Sequence, residues 1–451
     1  MAFAYIGVGS NLGDRQAYLD SALESMASLG ELIGGAPIYE TAPVGPTDQG
    51  AYLNTVFAVD TSLAPGDLLA GLLSVERDNG RVRDVKWGAR TLDLDLLWYD
   101  GVSVNEPDLQ IPHPEIRNRR FVLAPLLELD SSLSDESGPY ATSLTDVSNQ
   151  PISRLTGPVA PGENRWLEGL SSAIALEALT ENTWRFTSHR DWVNSGGDMF
   201  GAYLTAVSLF SVRHAAPEMA PIALTYRFLH GVRPGSSGSV VLTTNRRTSR
   251  SFDATVVISV DGRAVGHSTI GLVADLPELT NAPAVPAVRD VSSTEPIERL
   301  ARSIGAEVGA SARNWNPLEN WSDPGLNGRD EGVLRMWSPN IAIGSADPFM
   351  TAAALLMPMD AAIWPQTMNN LNLLPDGPAI STPTIELSAR FADLTDEDLH
   401  HLAEATIDHG TASSVVGTVR VWGPDGGYRG IGHSQNLIRR QRPYSSSGTK
   451  Q

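Results

Sequence analysis

The chain has 451 residues, a formal net charge of −19 and no cysteine. Such a length exceeds one ordinary core and implies about two to four domains, while the missing thiols exclude disulfides and thiolate metal sites. The acidic balance argues against nucleic acid or an anionic membrane as partner, so the few basic clusters read as local anion sites.

The N-terminus, Met1-Ala2-Phe3-Ala4-Tyr5-Ile6-Gly7, lacks a basic flank and a long apolar run, and the richest later stretch, Phe349 to Trp364, is broken by Pro358 and Asp360. The expectation is a cytoplasmic protein without membrane contact. Tyr5 to Asp14 reads as a short strand entering a Gly-rich turn, followed by a helix over 15–29 with Tyr18, Leu19, Ala22, Leu23 and Met26 on one face. The turn lacks the third glycine of a dinucleotide fingerprint. Strands are expected at 38–45 and 52–59, the second presenting Tyr52 and Asn54 on one face. An aromatic beside an amide suits a flat heterocycle: stacking supplies affinity and the amide reads the ring edge, although an aromatic in a strand is more often core.

A helix over 65–79 carries Leu68, Leu69, Leu72 and Val75 and ends at Gly80; residues 81–90 are charged and predict a loop that closes over a ligand. From Thr91 apolar and polar residues alternate, which places Leu92, Leu94 and Leu96 on a core face and Asp93 and Asp95 together on the other. Two carboxylates at that spacing repel unless a divalent cation lies between them, and Mg²⁺ on a polyphosphate is the usual guest. An isolated Asp-x-Asp would more often be a solvated edge. Here Arg81, Arg83, Lys86 and Arg90 precede the pair and Arg117, Arg119 and Arg120 follow it, as an anionic substrate requires.

The words Gly-Ser-Asn-Leu-Gly at 9–13, Gly80-Arg81-Val82-Arg83, Trp87-Gly88-Ala89-Arg90-Thr91-Leu92-Asp93-Leu94-Asp95, Ile111-Pro112-His113-Pro114 and Asn118-Arg119-Arg120-Phe121 resemble the 6-hydroxymethyl-7,8-dihydropterin pyrophosphokinases of folate biosynthesis. The resemblance covers about residues 1–130 and weakens toward 160. It implies an α+β domain with a ferredoxin-like sheet, ATP and 6-hydroxymethyl-7,8-dihydropterin as substrates, and two Mg²⁺ ions at Asp93 and Asp95. By the same resemblance Arg81, Arg83, Trp87, Arg90, His113 and Arg119 hold ATP, with Arg81 and Arg90 also catalytic. Tyr52 and Phe121 sandwich the pterin, Asn54 reads its edge, and Thr41, Pro43 and Val44 line the pocket. Glu76 matches a family glutamate, whereas Leu73 replaces a glutamine found in several members.

From Ser131 to Arg165 the chain is polar and rich in Ser, Gly and Pro, a boundary that sets the first domain at 1–160. Beyond it a pattern occurs twice. A helix at 199–212, introduced by Gly196-Gly197, precedes strands near 222–230 and 239–260 and the words Gly266-His267-Ser268-Thr269. A helix at 347–362 precedes strands at 384–391 and 403–422 and Gly432-His433-Ser434-Gln435. This resembles the tandem (double) hotdog of acyl-CoA thioesterases, with copies at 166–275 and 331–441 and a linker at 276–330. Asp360, Thr384 and Gln435 match the residues that activate water against a thioester in the type II enzymes, and a carboxylate on an apolar helix is a plausible base. The resemblance implies acyl-CoA as a second substrate and a homo-oligomer formed through the hotdog module. The alternatives are a single-activity pyrophosphokinase whose hotdog module binds an acyl ligand or only dimerises, or a scaffold in which Asp360 caps a turn.

Overall fold

A computed structural model describes residues 2–43, 49–81, 90–130, 133–160, 163, 165–194, 197–276, 281–286, 295–296, 321–322, 333–363, 380–381, 383–394, 398–411 and 413–440. Val44, Arg83, Trp87 and Gly196 lie outside the described residues, as do most of the 81–90 loop and of the 276–330 linker.

The first domain is built on β1 (Ala2–Ser10), α1 (Arg15–Ser25), β2 (Glu31–Gly35), β3 (Tyr39–Thr41), β4 (Tyr52–Thr61), α2 (Pro65–Asp78), β5 (Asp93–Tyr99), α3 (Arg120–Leu129) and β6 (Ile152–Arg154). Asp14 caps α1 by accepting from the Ala17 amide at 3.1 Å, and Pro65 opens α2 at a position that needs no amide hydrogen. The sheet order is β6-β3-β4-β1-β5, with β2 also on β4 and the mapped pairs antiparallel. This is the ferredoxin-like arrangement of two βαβ halves. Leu19, Ala22 and Leu23 of α1 and Leu68, Leu72 and Val75 of α2 cover one face, against Ile6, Val8, Leu94 and Leu96. α3 covers part of the other, through Leu123, Leu126 and Leu127 on Tyr5, Val56 and Leu97. Beyond its reach that second face stays open, and there the site lies.

One expectation changes in the first domain. Gly7 and Gly9 belong to β1, not to a turn, because the β1 backbone is paired on both sides: Gly7 with Val56 and Asp95, Gly9 with Asn54 and Asp93. Leu123 lies in α3.

After the first domain come β7 (Glu177–Thr180), β8 (Thr183–Thr187), α4 (Gly201–Ala215), β9 (Ala220–Phe228), β10 (Ser237–Arg247), β11 (Ser251–Val260) and β12 (Arg263–Val273). A second set follows: β13 (Val333–Pro339), α5 (Pro348–Ala361), β14 (Thr384–Phe391), β15 (His400–Gly410), β16 (Ser414–Trp422) and β17 (Tyr428–Leu437). All join one sheet in the order β7-β8-β10-β11-β12-β9-β14-β17-β16-β15-β13, which two-residue strands at Trp321–Ser322 and Glu295–Pro296 extend to thirteen. The two repeats meet where β9 pairs with β14, Tyr226 opposite Leu387, and the two helices pack together under the sheet. A buried helix wrapped by an antiparallel meander, twice over and edge to edge, is a tandem hotdog. Both helices are apolar nearly all round, as helices enclosed on every side must be. Among the described residues no helix is long and apolar enough to cross a membrane.

Candidate active sites

The open face of the first domain holds a cavity of about 300 Å³ whose lining includes Gly7, Gly9, Thr41, Tyr52, Asn54, Arg90, Asp93, Asp95, His113, Arg119 and Phe121. Its construction follows from strand order. β1 runs between β4, which carries Asn54, and β5, which carries Asp93 and Asp95. Only glycines of β1 point between them, so the centre of the sheet becomes a trough. A Cβ on Gly9 would lie 3.1 Å from the Asn54 oxygen, and one on Gly7 would lie 3.3 Å from the Leu97 side chain.

At one end of the trough Asn54, nearly buried, donates to the Thr41 hydroxyl at 2.8 Å, which leaves its side-chain oxygen facing the cavity beside Tyr52. Phe121, at the start of α3, also lines the cavity, and the Arg119 guanidinium lies 5.8 Å from its ring centre. Pro43 follows Thr41 at the rim and is absent from the lining.

At the other end charge is concentrated. Arg90 pairs with Asp93, and Arg81 lies 2.7 Å from the same carboxylate while also pairing with Glu76. Asn11 pins the Arg90 backbone in both directions: its side chain accepts from the Arg90 amide at 2.7 Å and its own amide donates to the Arg90 carbonyl at 3.1 Å. Glu76, 1% exposed, also accepts from the Leu94 amide at 2.9 Å and so fixes β5 between the two aspartates. His113 enters the cavity from a segment tied to β5 by its amide, which donates to the Leu97 carbonyl at 2.8 Å. Burial, then the neighbouring charge of Asp93, raises the pKa of Asp95 above the usual carboxylate value.

Among the described residues no hydrogen-bond donor reaches the Asp95 carboxylate, and no cluster of three or more His, Asp or Glu side chains could by itself enclose a metal. A pair of carboxylates with room beside it fits Mg²⁺, which keeps waters and takes phosphate oxygens instead of a full protein cage.

Two expected cations are elsewhere. Arg117 pairs with Asp135 at 2.5 Å, and Arg120 is buried with its guanidinium donating to the Ser148 and Gln150 carbonyls at 2.9 and 3.1 Å. Both stabilise the segment after α3, and only Arg119 of that run lines the cavity. Asn11 and the two strand glycines, legible in the sequence only as a Gly-rich word, have no chemistry of their own and matter through what they position.

In the second module Asp360 lies near the end of α5 and is 6% exposed. Its Oδ1 accepts from the Thr384 hydroxyl at 2.9 Å and its Oδ2 from the Ala202 amide at 2.9 Å, the latter in the first turn of α4 from the other repeat. Burial raises its pKa from 3.8 to about 6, with both hydrogen bonds opposing the shift. The third expected member differs by one residue. Gln435 faces outward on β17 and is exposed, whereas Asn436 is buried and donates to the Thr384 hydroxyl at 2.9 Å. Period-two alternation makes a one-residue error a change of face. The trio is therefore Asp360, Thr384 and Asn436.

The first repeat has no such trio. Counted from the N-caps Phe200 and Asp347, Arg213 takes in α4 the place of Asp360 in α5. Aligning Gly266-His267-Ser268 with Gly432-His433-Ser434 puts Ile270 where Asn436 stands, and the strand pairing then puts Leu224 where Thr384 stands. Arg213 pairs instead with Asp347, the N-cap of α5, at 3.0 Å.

Among solved structures, an acyl-CoA thioesterase II from Mycobacterium marinum aligns over 61% of this chain and all of its own, with 13% identity and a TM-score of 0.49. A hot dog protein from Alicyclobacillus acidocaldarius aligns over 60% of this chain and 98% of its own, with 15% identity and a TM-score of 0.47. In sequence the chain is 43% identical to a 2-amino-4-hydroxy-6-hydroxymethyldihydropteridine pyrophosphokinase from Methylorubrum extorquens over 135 residues, 30% of this chain and 85% of that protein. It is 41% identical to the Pseudomonas aeruginosa protein of the same name over 142 residues, 31% of this chain and 88% of the relative. Residues 5–131 match the family 7,8-dihydro-6-hydroxymethylpterin-pyrophosphokinase, and through them the chain belongs to that family.

Proposed function

We propose that residues 1–160 transfer pyrophosphate from ATP to 6-hydroxymethyl-7,8-dihydropterin in the cytoplasm, releasing AMP. The observation that carries this reading is one trough lined both by Tyr52, Asn54 and Phe121 and by Arg90, Asp93, Asp95, His113 and Arg119. Tyr52 and Phe121 offer stacking faces to the pterin, and Asn54 its amide oxygen, an acceptor for the ring's amino group. Arg90, His113 and Arg119 grip the triphosphate; by the family pattern Arg83 and Trp87 also serve ATP, and Val44 serves the pterin. Arg81 is tied to Glu76 and Asp93 and is absent from the cavity lining, so it acts on the site through Asp93. Asp93 and Asp95 would hold Mg²⁺, two ions by the family pattern, and the metal supplies charge neutralisation on the phosphates.

The pterin hydroxymethyl oxygen forms a bond to the β-phosphorus as the bond from that phosphorus to the α,β-bridging oxygen breaks. The alcohol proton passes to solvent and AMP leaves with the electron pair. The arginines stabilise the charge growing on the leaving group, and the trough holds the two substrates in line. Incubating the full chain with ATP and the pterin tests this: AMP should form only when both are present.

The carboxylate at Asp360 favours a second reading, in which the module formed by 166–275 and 331–441 hydrolyses acyl-CoA thioesters. Asp360 would take a proton from water while Thr384 and Asn436 orient it, so that hydroxide adds to the thioester carbonyl and the thiolate leaves with the C–S bond's electrons, reprotonated from solvent. A buried carboxylate that is shared between two helices, its pKa raised by burial to about 6, suits a base better than a turn cap. Hydrolysis of an acyl-CoA panel by the full chain tests it. Binding without turnover would leave an acyl-binding module.

A further inference from the structure

The pterin end of the trough rests on residues of the second hotdog repeat. β3 is three residues long, and its ladder partners on one side are Tyr52, Leu53 and Asn54. On the other side it pairs only with β6, through Ile152, Ser153 and Arg154. β6 is not left as an open edge. The Arg154 amide donates to the Ile343 carbonyl at 3.3 Å, and the Ser153 hydroxyl donates to the Gly344 carbonyl at 3.1 Å. These acceptors lie in the turn between β13 and α5, which Asn340 fixes by bonding the Asp398 and Leu399 carbonyls, each at 2.9 Å.

The approach is close. Gly344 has φ +74, and a Cβ on it would overlap the Ile152 carbonyl. Ile343 and Leu399 share a buried apolar cluster with Tyr39, Ala124 and Ile152, and Phe121 packs against it. Polar groups bind the same elements together: Arg154 pairs with Glu128 of α3 at 3.3 Å, and the Tyr39 hydroxyl donates to that same carboxylate. A continuous set of contacts therefore runs from the hotdog turn through β6 to Tyr39 and on to Thr41, which holds Asn54.

We propose that Ile343 and Gly344 are positioning residues for the pterin pocket: the docked turn fixes β6 and β3, and thereby sets Thr41, Asn54 and the Phe121 wall. The inference rests on reading that pocket as the pterin site. A three-residue strand has too few ladder bonds to fix its own position, and small displacements at a substrate-positioning wall are costly.

The test uses the full chain carrying Gly344→Ala or Ile343→Ser. The KM for 6-hydroxymethyl-7,8-dihydropterin should rise about tenfold while the KM for ATP stays within about twofold, and Ile343→Val should restore the wild-type value. Amide exchange of Tyr39 to Thr41 should quicken in both variants, with exchange in α1 and β5 unchanged. An unaltered pterin KM together with unaltered β3 exchange overturns the proposal, as does equal loss of both substrates with general destabilisation. Should the wild-type chain turn over no pterin, the pocket reading fails, and β3 exchange alone then decides whether the turn holds the strand.

Discussion

The Asp360 carboxylate of the second repeat accepts a hydrogen bond from the Ala202 amide of the first, at 2.9 Å. One helix thus holds a negative charge at the N-terminus of another, where the helix dipole favours it, inside an otherwise apolar core. Asp360→Asn keeps the shape and removes the base, so thioester hydrolysis should fall by about 10²–10⁴-fold with pyrophosphokinase activity unchanged. Thr384→Val should cost less. If the two act together, the double variant should lose no more than Asp360→Asn alone, measured as kcat/KM on one acyl-CoA.

The same carboxylate predicts a pH dependence. Its folded pKa, about 6, lies above the ordinary 3.8, so the folded state binds the proton more tightly than the unfolded chain does. Stability then falls as pH rises from about 4 to 6 and levels off above, by an amount on the order of 3 kcal/mol at most. Hydrolysis runs the opposite way, rising through pH 6 as the base ionises. Denaturant unfolding of wild type and Asp360→Asn across this range should show the difference confined to wild type.

Gly201 leaves room for this arrangement. A Cβ there would lie 2.6 Å from the Asp360 Oδ2 and 3.1 Å from the Phe228 ring. Gly201→Ala should destabilise the second module by about 1–3 kcal/mol through overpacking and reduce hydrolysis, although alanine is the better helix former. Calorimetry of the full chain would register it as a lowered transition with the first domain's substrate affinities intact.

In the first domain Asn54 is nearly buried and already bonded to Thr41, so its amide is oriented before a ligand arrives. Asn54→Ala should weaken pterin binding by about 1–3 kcal/mol and ATP binding by much less. Equal weakening of both ligands in titration calorimetry would mean that the change disturbs the sheet instead.

The face shared by Asp93 and Asp95 and the face shared by Tyr52 and Asn54 were legible because strand alternation is local. Trough formation was not, since it depends on which strand lies between β4 and β5, and a Gly-x-Gly run looks the same in a strand and in a turn. The same limit displaced Gln435: matching short words fixes a strand but leaves its register free by one residue, and only the pairing of Thr384 with Asn436 settles which side chain faces the helix. Arg117 and Arg120 had the right charge in the right segment. Their acceptors, Asp135 and the 148–150 carbonyls, come from later chain that no local pattern connects to them. Docking of the Ile343 turn on β6 likewise joins residues almost two hundred positions apart.

The carboxylate pair on β5 is proposed to serve phosphoryl chemistry. The most direct test is AMP release from ATP and 6-hydroxymethyl-7,8-dihydropterin by the Asp95→Ala full chain, with Mg²⁺ varied. Loss of the metal's neutralising charge should lower kcat by about 10³-fold or more, with the pterin still bound and the unfolding transition unchanged. AMP release near the wild-type rate in that variant would contradict the account.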